Sequence, residues 1–537
     1  MSDIGPGNPV GRKEDRRFLT GQGRYVADLD SSDMLHVVFV RSDHAHGTIT
    51  GTDLSDAGAV PGVVAVHDGV SLKQLGIGDL PCFRKIKGRG GAEMADLPRP
   101  PLAVGRVRYV GEPVAVVVAR SREAAEEAAA LVEVEVAPLP AVIDLRAAME
   151  ADAPVLWDEL GSNCYFTFDW GEEEDTAAAF ERADHVVTID LVNSRLVPNP
   201  MEPRVCVAVP DGERLTLHAS HQKPHDLLKM MAPLIGIDMA QMRVISPDVG
   251  GGFGAKLFLY PEETITAFLA LQLNRSMRWV GDRTDAMLGD AHGRDHATHA
   301  ELALDAEGRF LALRADVLAA LGACVSSFAP AISTQYHAPA CSGVYRIPSM
   351  AVTVRGVFTN TGPVDAYRGA GRPEAAYIIE RLADMAALKL GLDRAEIRRR
   401  NMIRPRDMPF ITAGRLKMDS GDFPHALDVA LEQGGYDGFP ERKAAARQNG
   451  KLRGLGLASW FEPSAGGRPV NKDGSGGDAG GHEYARLRVH PDGTATLQVG
   501  THNDGQGHET TYAQIAADRL GLPLDAIEVR NGDTDEV

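Results

Sequence analysis

Three stretches of this sequence join glycine to charged or amide side chains directly ahead of a segment with helical periodicity. They are DVGGGFGAK at 248–256, AYRGAGRPE at 366–374 and GTHNDGQGHET at 500–510. Glycine lets backbone N–H groups converge on a ligand with no side chain in the way, and a helix N-terminus adds favourable partial charge for an anion. Arg368 and Arg372 add full positive charge to the second stretch. A lone glycine loop also serves ordinary tight turns. Three of them together suit a large, polyanionic cofactor gripped at several points. The common phosphate fingerprints are missing: GQGRYV at 21–26 and GQGHET at 505–510 complete no GxGxxG, and no GxxxxGK[ST] occurs. Nicotinamide, flavin and Walker-type nucleotide sites are therefore unsupported.

Each loop needs an element to hold it. Pro261 with Glu262 and Glu263 signals a helix start, and Ile265, Phe268, Leu269 and Leu273 recur at helical spacing on one face. The plan repeats with Pro373-Glu374 before Ala375, Ile378, Ile379, Leu382, Ala386 and Leu390, with Gly391 placed to terminate. In the third case Tyr512, Ile515, Ala516 and Leu520 form the expected apolar face. Three glycine loops each leading into an amphipathic helix are thus expected. Upstream, PVAVVVA at 113–119 reads as a strand, Ser121 can cap REAAEEAAA, and LVEVEV alternates with period two. HAELALDAEGRFLAL and ARLRVHPDGTATLQV read as hairpins. Breakers cluster near 415, and PSAGGRPVNKDGSGGDAGG at 463–481 reads as a flexible glycine-rich loop.

At 537 residues the chain should divide into two to four domains. Its 44% hydrophobic and 24% charged residues fit an ordinary globular protein, and no apolar run reaches membrane-spanning length. A net charge of −18 works against nucleic acid or anionic lipid as partner. Cys82, Cys164, Cys206, Cys324 and Cys341 are odd in number, widely spaced and without a CxxC pair, which argues for a reducing cytoplasm and against a cysteine-ligated cluster in this chain. Arg16-Arg17-Phe18-Leu19 resembles a twin-arginine signal but lacks the apolar segment that should follow.

Taken as a set, GRKEDRRFLTGQGRYVADLD, LHVVFVRSDHAHGTI, VRYVGEPVAVVVA, SHQKPH, DVGGGFGAK, AYRGAGRPE and GQGHETTYAQIAADRLG resemble the molybdopterin-binding large subunits of the xanthine dehydrogenase and aldehyde oxidase family. The nearest branch is that of large chains like those of aerobic carbon monoxide dehydrogenase. The resemblance implies an α+β, mixed α/β fold. Residues 1–19 would be an N-terminal arm and 20–145 an α/β hammerhead-like domain. Residues 150–415 would be a first molybdopterin-binding domain, 416–481 a linker with the glycine-rich loop, and 482–537 the start of a second, incomplete one. The implied cofactor is molybdenum-molybdopterin in its cytosine dinucleotide form, the metal being held by the pterin dithiolene and not by protein side chains. The implied partners are a small 2Fe-2S subunit and a medium FAD subunit in a dimer of heterotrimers, and the implied activity is hydroxylation of an aldehyde, N-heterocycle or related small molecule with water as oxygen source.

Residue by residue, Gln222 matches the family glutamine beside the metal, and Gly251, Gly252, Phe253 and Gly254 match the loop that passes it. Arg368 matches an arginine of the active-site wall, Gly369 follows it, and Gln506 and Gly507 match a cofactor-contacting loop. Catalytic roles are expected of Gln222, Phe253 and Arg368. Three departures matter. Carbon monoxide-oxidising chains carry a copper-holding cysteine after the arginine, where Gly369 stands here. Purine hydroxylases carry a glutamate where Leu257 stands. The family's general-base glutamate lies near the C-terminus and is expected beyond Val537, so the isolated chain is expected to be inactive. A non-catalytic fragment that keeps cofactor or subunit binding is the alternative reading. A phosphate-binding transferase is a third, with the missing Walker and Rossmann patterns against it.

Other clusters read as structural. The sequence flanking His292, His296 and His299 alternates as a strand, and no nearby set completes a zinc site. His44, His46, His221 and His225 read as surface or loop histidines, His508-Glu509 is not HExxH, and GEEED at 171–175 reads as solvated or helix-start charge.

Overall fold

The computed structural model describes residues 5–31, 33–462, 469–471 and 483–537. The glycine-rich stretch 463–481 lies almost wholly outside the described residues. Mixed helices and sheets make up the rest, as expected of an α+β chain. PVAVVVA forms strand Pro113–Ala119, buried at every position, which is why it carries no polar alternation. It sits inside a seven-stranded sheet ordered Met242–Ile245, Arg214–Ala219, Val205–Asp211, Met277–Val280, Leu35–Arg41, Pro113–Ala119, Val63–Asp68. The join between its halves is the parallel pairing of Leu35 with Met277. The sheet therefore runs across the boundary expected near 145–150, and Leu35, Val116, Leu217 and Phe268 share one core.

A second, five-stranded sheet is ordered Cys164–Gly171, Ser349–Phe358, Phe310–Gly322, His296–Leu304, His185–Asn193. Its centre is the hairpin read from HAELALDAEGRFLAL, closed where Leu304 faces Phe310 and Asp305 N donates to Arg309 O at 3.0 Å, with the donor on the Asp305 side. Ser121 caps helix Arg122–Ala129 by accepting from Ala124 N. GEEED enters helix Glu173–Glu181, with Glu173, Glu174 and Asp175 in its first turn.

The three loop helices form at Pro261–Leu273, Arg372–Leu390 and His508–Leu520. Their burial corrects the amphipathic expectation twice. Residues 261–270 of the first are buried on every side, including Glu262, Glu263, Thr264 and Thr266, because charge is neutralised inside the protein instead of by water. The third buries Thr510, Ala513, Gln514, Ala516 and Ala517, whereas Ile515 and Leu520 are exposed. Small residues let this helix lie close on strand Ile527–Arg530, and the larger apolar ones were misleading. The second helix behaves as read, with Ala375, Ile378, Ile379, Leu382 and Ala386 buried, Leu390 half-buried, and Gly391 in the left-handed region as its C-cap.

Strands Ala485–Val489, Ala495–Val499 and Ile527–Arg530 form a small sheet carrying the third helix. It is tied to the seven-stranded sheet by Ser246 N donating to Gly532 O at 2.7 Å and by Arg243 Nε on Asp533 at 2.9 Å. The N-terminal helix Lys13–Leu19 packs on it as well: Lys13 N donates to Thr510 Oγ1 at 2.8 Å, and Arg17 pairs with both Asp248 and Glu509. Arg17, half of the arginine pair, thus links the first glycine stretch to the third.

Candidate functional site

The loops at 250–256 and 365–371 meet directly. Arg368 N donates to Phe253 O at 3.0 Å, and a Cβ on Gly254 would stand 2.3 Å from Ala366 O. Gly251 and Gly254 sit at φ +93° and +100°, and Phe253 between them at +54°. Only glycine satisfies both the angle and the approach at Gly254. Gln222 closes the first loop from below. Its Oε1 accepts from Gly254 N at 2.9 Å, its own N donates to Lys256 O at 2.7 Å, and a Cβ on Gly252 would lie 2.4 Å from its Cδ. The Phe253 ring is 42% exposed and faces the Arg368 guanidinium, 6.0 Å from its centroid. Arg368 makes no ion pair among the described residues, and it lines, with Gly369, Arg372 and Tyr377, a cleft of about 680 Å³. Gln222 and Gly251–Gly254 do not line that cleft.

The third loop is tied to the first through Arg17, which pairs with Asp248 ahead of the first loop and with Glu509 at the end of the third, and Asp504 N donates to Gln506 Oε1 at 2.5 Å within it. Gln506 and Gly507 lead into the third helix, whose N-cap Gly507, like Gly371 of the second, lies in the left-handed region with no side chain capping the turn. The sequence-expected residues thus fall into one connected group at Gln222, Gly251–Gly254, Arg368 and Gly369. Gln506 and Gly507 belong to the third loop, which Arg17 ties to the first.

Several supporting residues had no sequence motif of their own. Glu202 Oε2 accepts from Gly250 N at 2.8 Å and from Lys256 Nζ at 2.6 Å, so one carboxylate pins both ends of the first loop. Lys256 is fully buried, and burial draws its pKa down against the pull of Glu202. Arg294 Nη2 donates to Arg368 O at 2.6 Å and its Nη1 reaches Glu374 at 3.2 Å, which fixes the second loop from behind. Only Lys256 and Glu374 adjoin the loops in sequence; Glu202 and Arg294 lie 48 and 74 residues from their partners. Beneath them lies a buried cluster in which Arg204 holds Asp290 at 2.6 Å and Glu262 at 3.0 Å. Against the cost of burial, Arg204 and Arg41, the latter 2.7 Å away, hold Glu262 at about 2, while burial pushes neighbouring Glu263 up to about 8.

The histidine readings need correction at His221 and His46. His221 is fully buried, not a surface or loop-exposed residue: its Nδ1 accepts from Lys223 N at 3.0 Å and its Nε2 reaches Phe258 O at 3.3 Å. That neutral, doubly bonded ring is pushed down to about 3 by burial, and it sets the turn carrying Gln222. His46 and His296 are also buried. His225 is partly buried and contacts Val537 O, and His44 stands at the surface beside Asp43. Among the described residues no group of three or more His, Cys, Asp or Glu could hold a metal ion.

The residues present fit an anionic organic cofactor. The two uncapped helix starts and the close glycine backbone at Gly252 and Gly254 offer donors and room. His508 Nδ1, Asp504 Oδ1 and His502 Nε2 are buried polar atoms with no hydrogen-bond partner among the described residues.

Residues 20–140 match the family described as aldehyde oxidase and xanthine dehydrogenase, a/b hammerhead domain. Residues 156–402 and 429–537 each match a molybdopterin cofactor-binding domain. The chain is 36% identical over 97% of its length to the carbon monoxide dehydrogenase large chain of Hydrogenophaga pseudoflava, and 35% identical over 98% to the nicotine 6-hydroxylase large subunit of Paenarthrobacter nicotinovorans. It spans 66% and 64% of those two relatives. The crystal structure of quinoline 2-oxidoreductase from Pseudomonas putida 86 superposes with a TM-score of 0.90 at 36% identity, covering 99% of this chain and 67% of that one. Glycine loops that meet around Gln222 and Arg368, on a hammerhead domain followed by molybdopterin-binding domains, place this chain in the xanthine dehydrogenase and aldehyde oxidase family of molybdopterin-dependent oxidoreductases.

Proposed function

We propose that this chain is the cofactor-binding large subunit of a molybdenum hydroxylase acting on an aldehyde or N-heterocycle, with water as oxygen source. The observation that carries this reading is the meeting of Gln222, the Gly251–Gly254 loop and Arg368 around one point. When bound, molybdenum-molybdopterin supplies the redox centre, and the protein supplies placement and electrostatics. Gln222 has its carbonyl engaged by Gly254 N and keeps its amide N–H groups for acceptors. The exposed Phe253 ring offers an apolar face to a flat substrate, and Arg368 a cation for negative charge that develops during oxidation. Gln506 and Gly507, at a helix start, hold the distal anionic part of the cofactor, in the cytosine dinucleotide form.

Two relatives bear names of N-heterocycle enzymes and one of a carbon monoxide enzyme. Gly369 favours the former. It sits at φ +94°, and a Cβ there would lie 2.4 Å from Pro373 Cγ, so neither the residue nor its conformation suits a metal-holding cysteine. The relatives are named as large chains or subunits, which supports electron-carrying partners: a small 2Fe-2S subunit and a medium FAD subunit, assembled as a dimer of heterotrimers. The general base, by resemblance, lies in the portion of the relatives that this chain does not span.

The test is turnover of aldehydes and N-heterocycles by the protein purified from its own cells with its copurifying subunits, in water enriched in 18O. One 18O atom per product molecule is expected, with Gln222→Ala and Arg368→Ala each slowing turnover by about tenfold or more. Product that carries oxygen from O2, or none, would refute the proposal.

A further inference from the structure

Arg195 follows strand His185–Asn193, and its guanidinium ends between two segments that lead to Arg368. Toward one of them, Nε donates to Asp295 Oδ2 at 2.8 Å and Nη1 to His292 Nδ1 at 3.2 Å. His292 Nε2 lies 3.2 Å from Met287 O and so carries the ring proton, which leaves Nδ1 to accept. Toward the other, Nη1 donates to Gly362 O at 2.9 Å and Nη2 to Thr361 Oγ1 at 2.6 Å. One planar side chain therefore clamps both segments, a task that its fixed fork of donors allows and a lysine ammonium does not.

The two segments run side by side. His292 N donates to Pro363 O and Asp365 N to His292 O, each at 2.8 Å, and a Cβ on Gly293 would stand 2.3 Å from Tyr367 Cβ. Next come two non-glycine residues in the left-handed region, Arg294 at φ +67° and Asp295 at φ +64°. Such a pair is strained and persists only where its surroundings over-determine it. Asp295 is held by Arg195 through its carboxylate and by Ala320 N, at 3.0 Å, through its carbonyl. The strained turn presents Arg294 to the second glycine loop. There Nη2 donates to Arg368 O at 2.6 Å, Nη1 donates to Tyr367 O at 3.3 Å, and the guanidinium lies 4.8 Å from the Tyr367 ring centroid.

We propose that Arg195 is a positioning residue for Arg368, acting through the strained turn and Arg294. Arg368 has its N–H on Phe253 O and its carbonyl on Arg294, so the peptide on each side of its Cα is fixed and its side chain is aimed past the Phe253 ring. Without the Arg195 clamp the turn relaxes, Arg294 leaves the carbonyl, and the Arg368 guanidinium loses its place beside that ring. That Arg368 serves a substrate rests on the function proposed above; the link from Arg195 to Arg368 does not.

The test places para-fluorophenylalanine at position 253 of the full chain and reads its fluorine NMR signal, because the Arg368 guanidinium lies 6.0 Å from that ring's centroid and its charge acts on the ring. Arg368→Gln marks the signal of a ring without the cation. Arg195→Lys, which keeps the charge and loses the fork, should move the signal toward that position, and in the Arg368→Gln background it should move it no further. Arg294→Lys should behave in the same way, and it carries the test if Arg195→Lys does not fold. A signal indifferent to Arg368→Gln would overturn the proposal. So would a folded Arg195→Lys or Arg294→Lys with the wild-type signal, or one whose shift is undiminished without Arg368, since a merely structural clamp gives those results. If the shifts appear as described in a chain that carries no molybdenum when made in molybdate-supplied cells, the proposed function fails and the positioning role stands.

Discussion

Gly252→Ala isolates sterics from backbone strain. Gly251 and Gly254 flank this residue in the left-handed region, but Gly252 itself does not adopt a positive φ, so alanine meets no conformational penalty there. Its methyl would instead lie 2.4 Å from Gln222 Cδ, 2.6 Å from Cγ and 2.7 Å from Oε1, all well inside contact distance. The loop is anchored by Glu202 at Gly250 and Lys256, so the flexible side chain is what gives way. Displacing it sacrifices the 2.9 Å bond to Gly254 N, worth about 1 kcal/mol, with a further overpacking cost of about 1–3 kcal/mol. The site should therefore lose about tenfold or more in cofactor retention, read as molybdenum per chain after gel filtration. Because the damage is local, the thermal midpoint should move by no more than about 4 °C. Gly58→Ala, in open space within helix Ser55–Ala59, is the control and should be neutral or slightly stabilising. Full retention in Gly252→Ala with Gln222 in place would refute the steric reasoning.

Glu262 and Glu263 are adjacent, yet opposite outcomes are expected from the same substitution at pH 7. Glu262→Gln removes the charge that Arg41 and Arg204 share and should cost about 3–5 kcal/mol in urea unfolding. Glu263→Gln replaces a carboxyl that is already mostly neutral at pH 7 and should stay within about 1 kcal/mol. His221 is held neutral down to about pH 3, whereas an unfolded imidazole gains its proton below about 6.5. Its contribution is therefore complete above 6.5 and lost as pH falls toward 3. The stability advantage of wild type over His221→Asn should shrink by about 1.4 kcal/mol per pH unit between pH 6 and 4, measured by urea titration at each pH. Gly369→Cys should bind no more copper than wild type and should lose stability, because φ +94° and the Pro373 ring oppose the new side chain.

How much of this could be read from the sequence follows from range. Helix starts at Pro261 and Pro373, the Ser121 cap and both hairpins are set by residues within a few positions of one another, and all appear where expected. The burial of the third helix was not legible, because strand Ile527–Arg530 and the N-terminal helix select its alanine face over Ile515 and Leu520. The same holds for His221, whose burial depends on Phe258, 37 residues away. In the site, Gln222, Phe253 and Arg368 were named through resemblance, and the structure sets them side by side. Glu202 and Arg294 were missed because each is a common charged residue whose role exists only across the fold, as in the Gly250 contact of Glu202, 48 residues away.

The most direct test of the central claim is the molybdenum and pterin content of the chain purified from molybdate-supplied cells, by elemental analysis and by fluorescence of the released, oxidised pterin. About one molybdenum and one nucleotide-bearing pterin per chain are expected, falling sharply in Gly252→Ala. A folded chain that carries neither, or whose content is indifferent to Gly252 and Gln222, would contradict it.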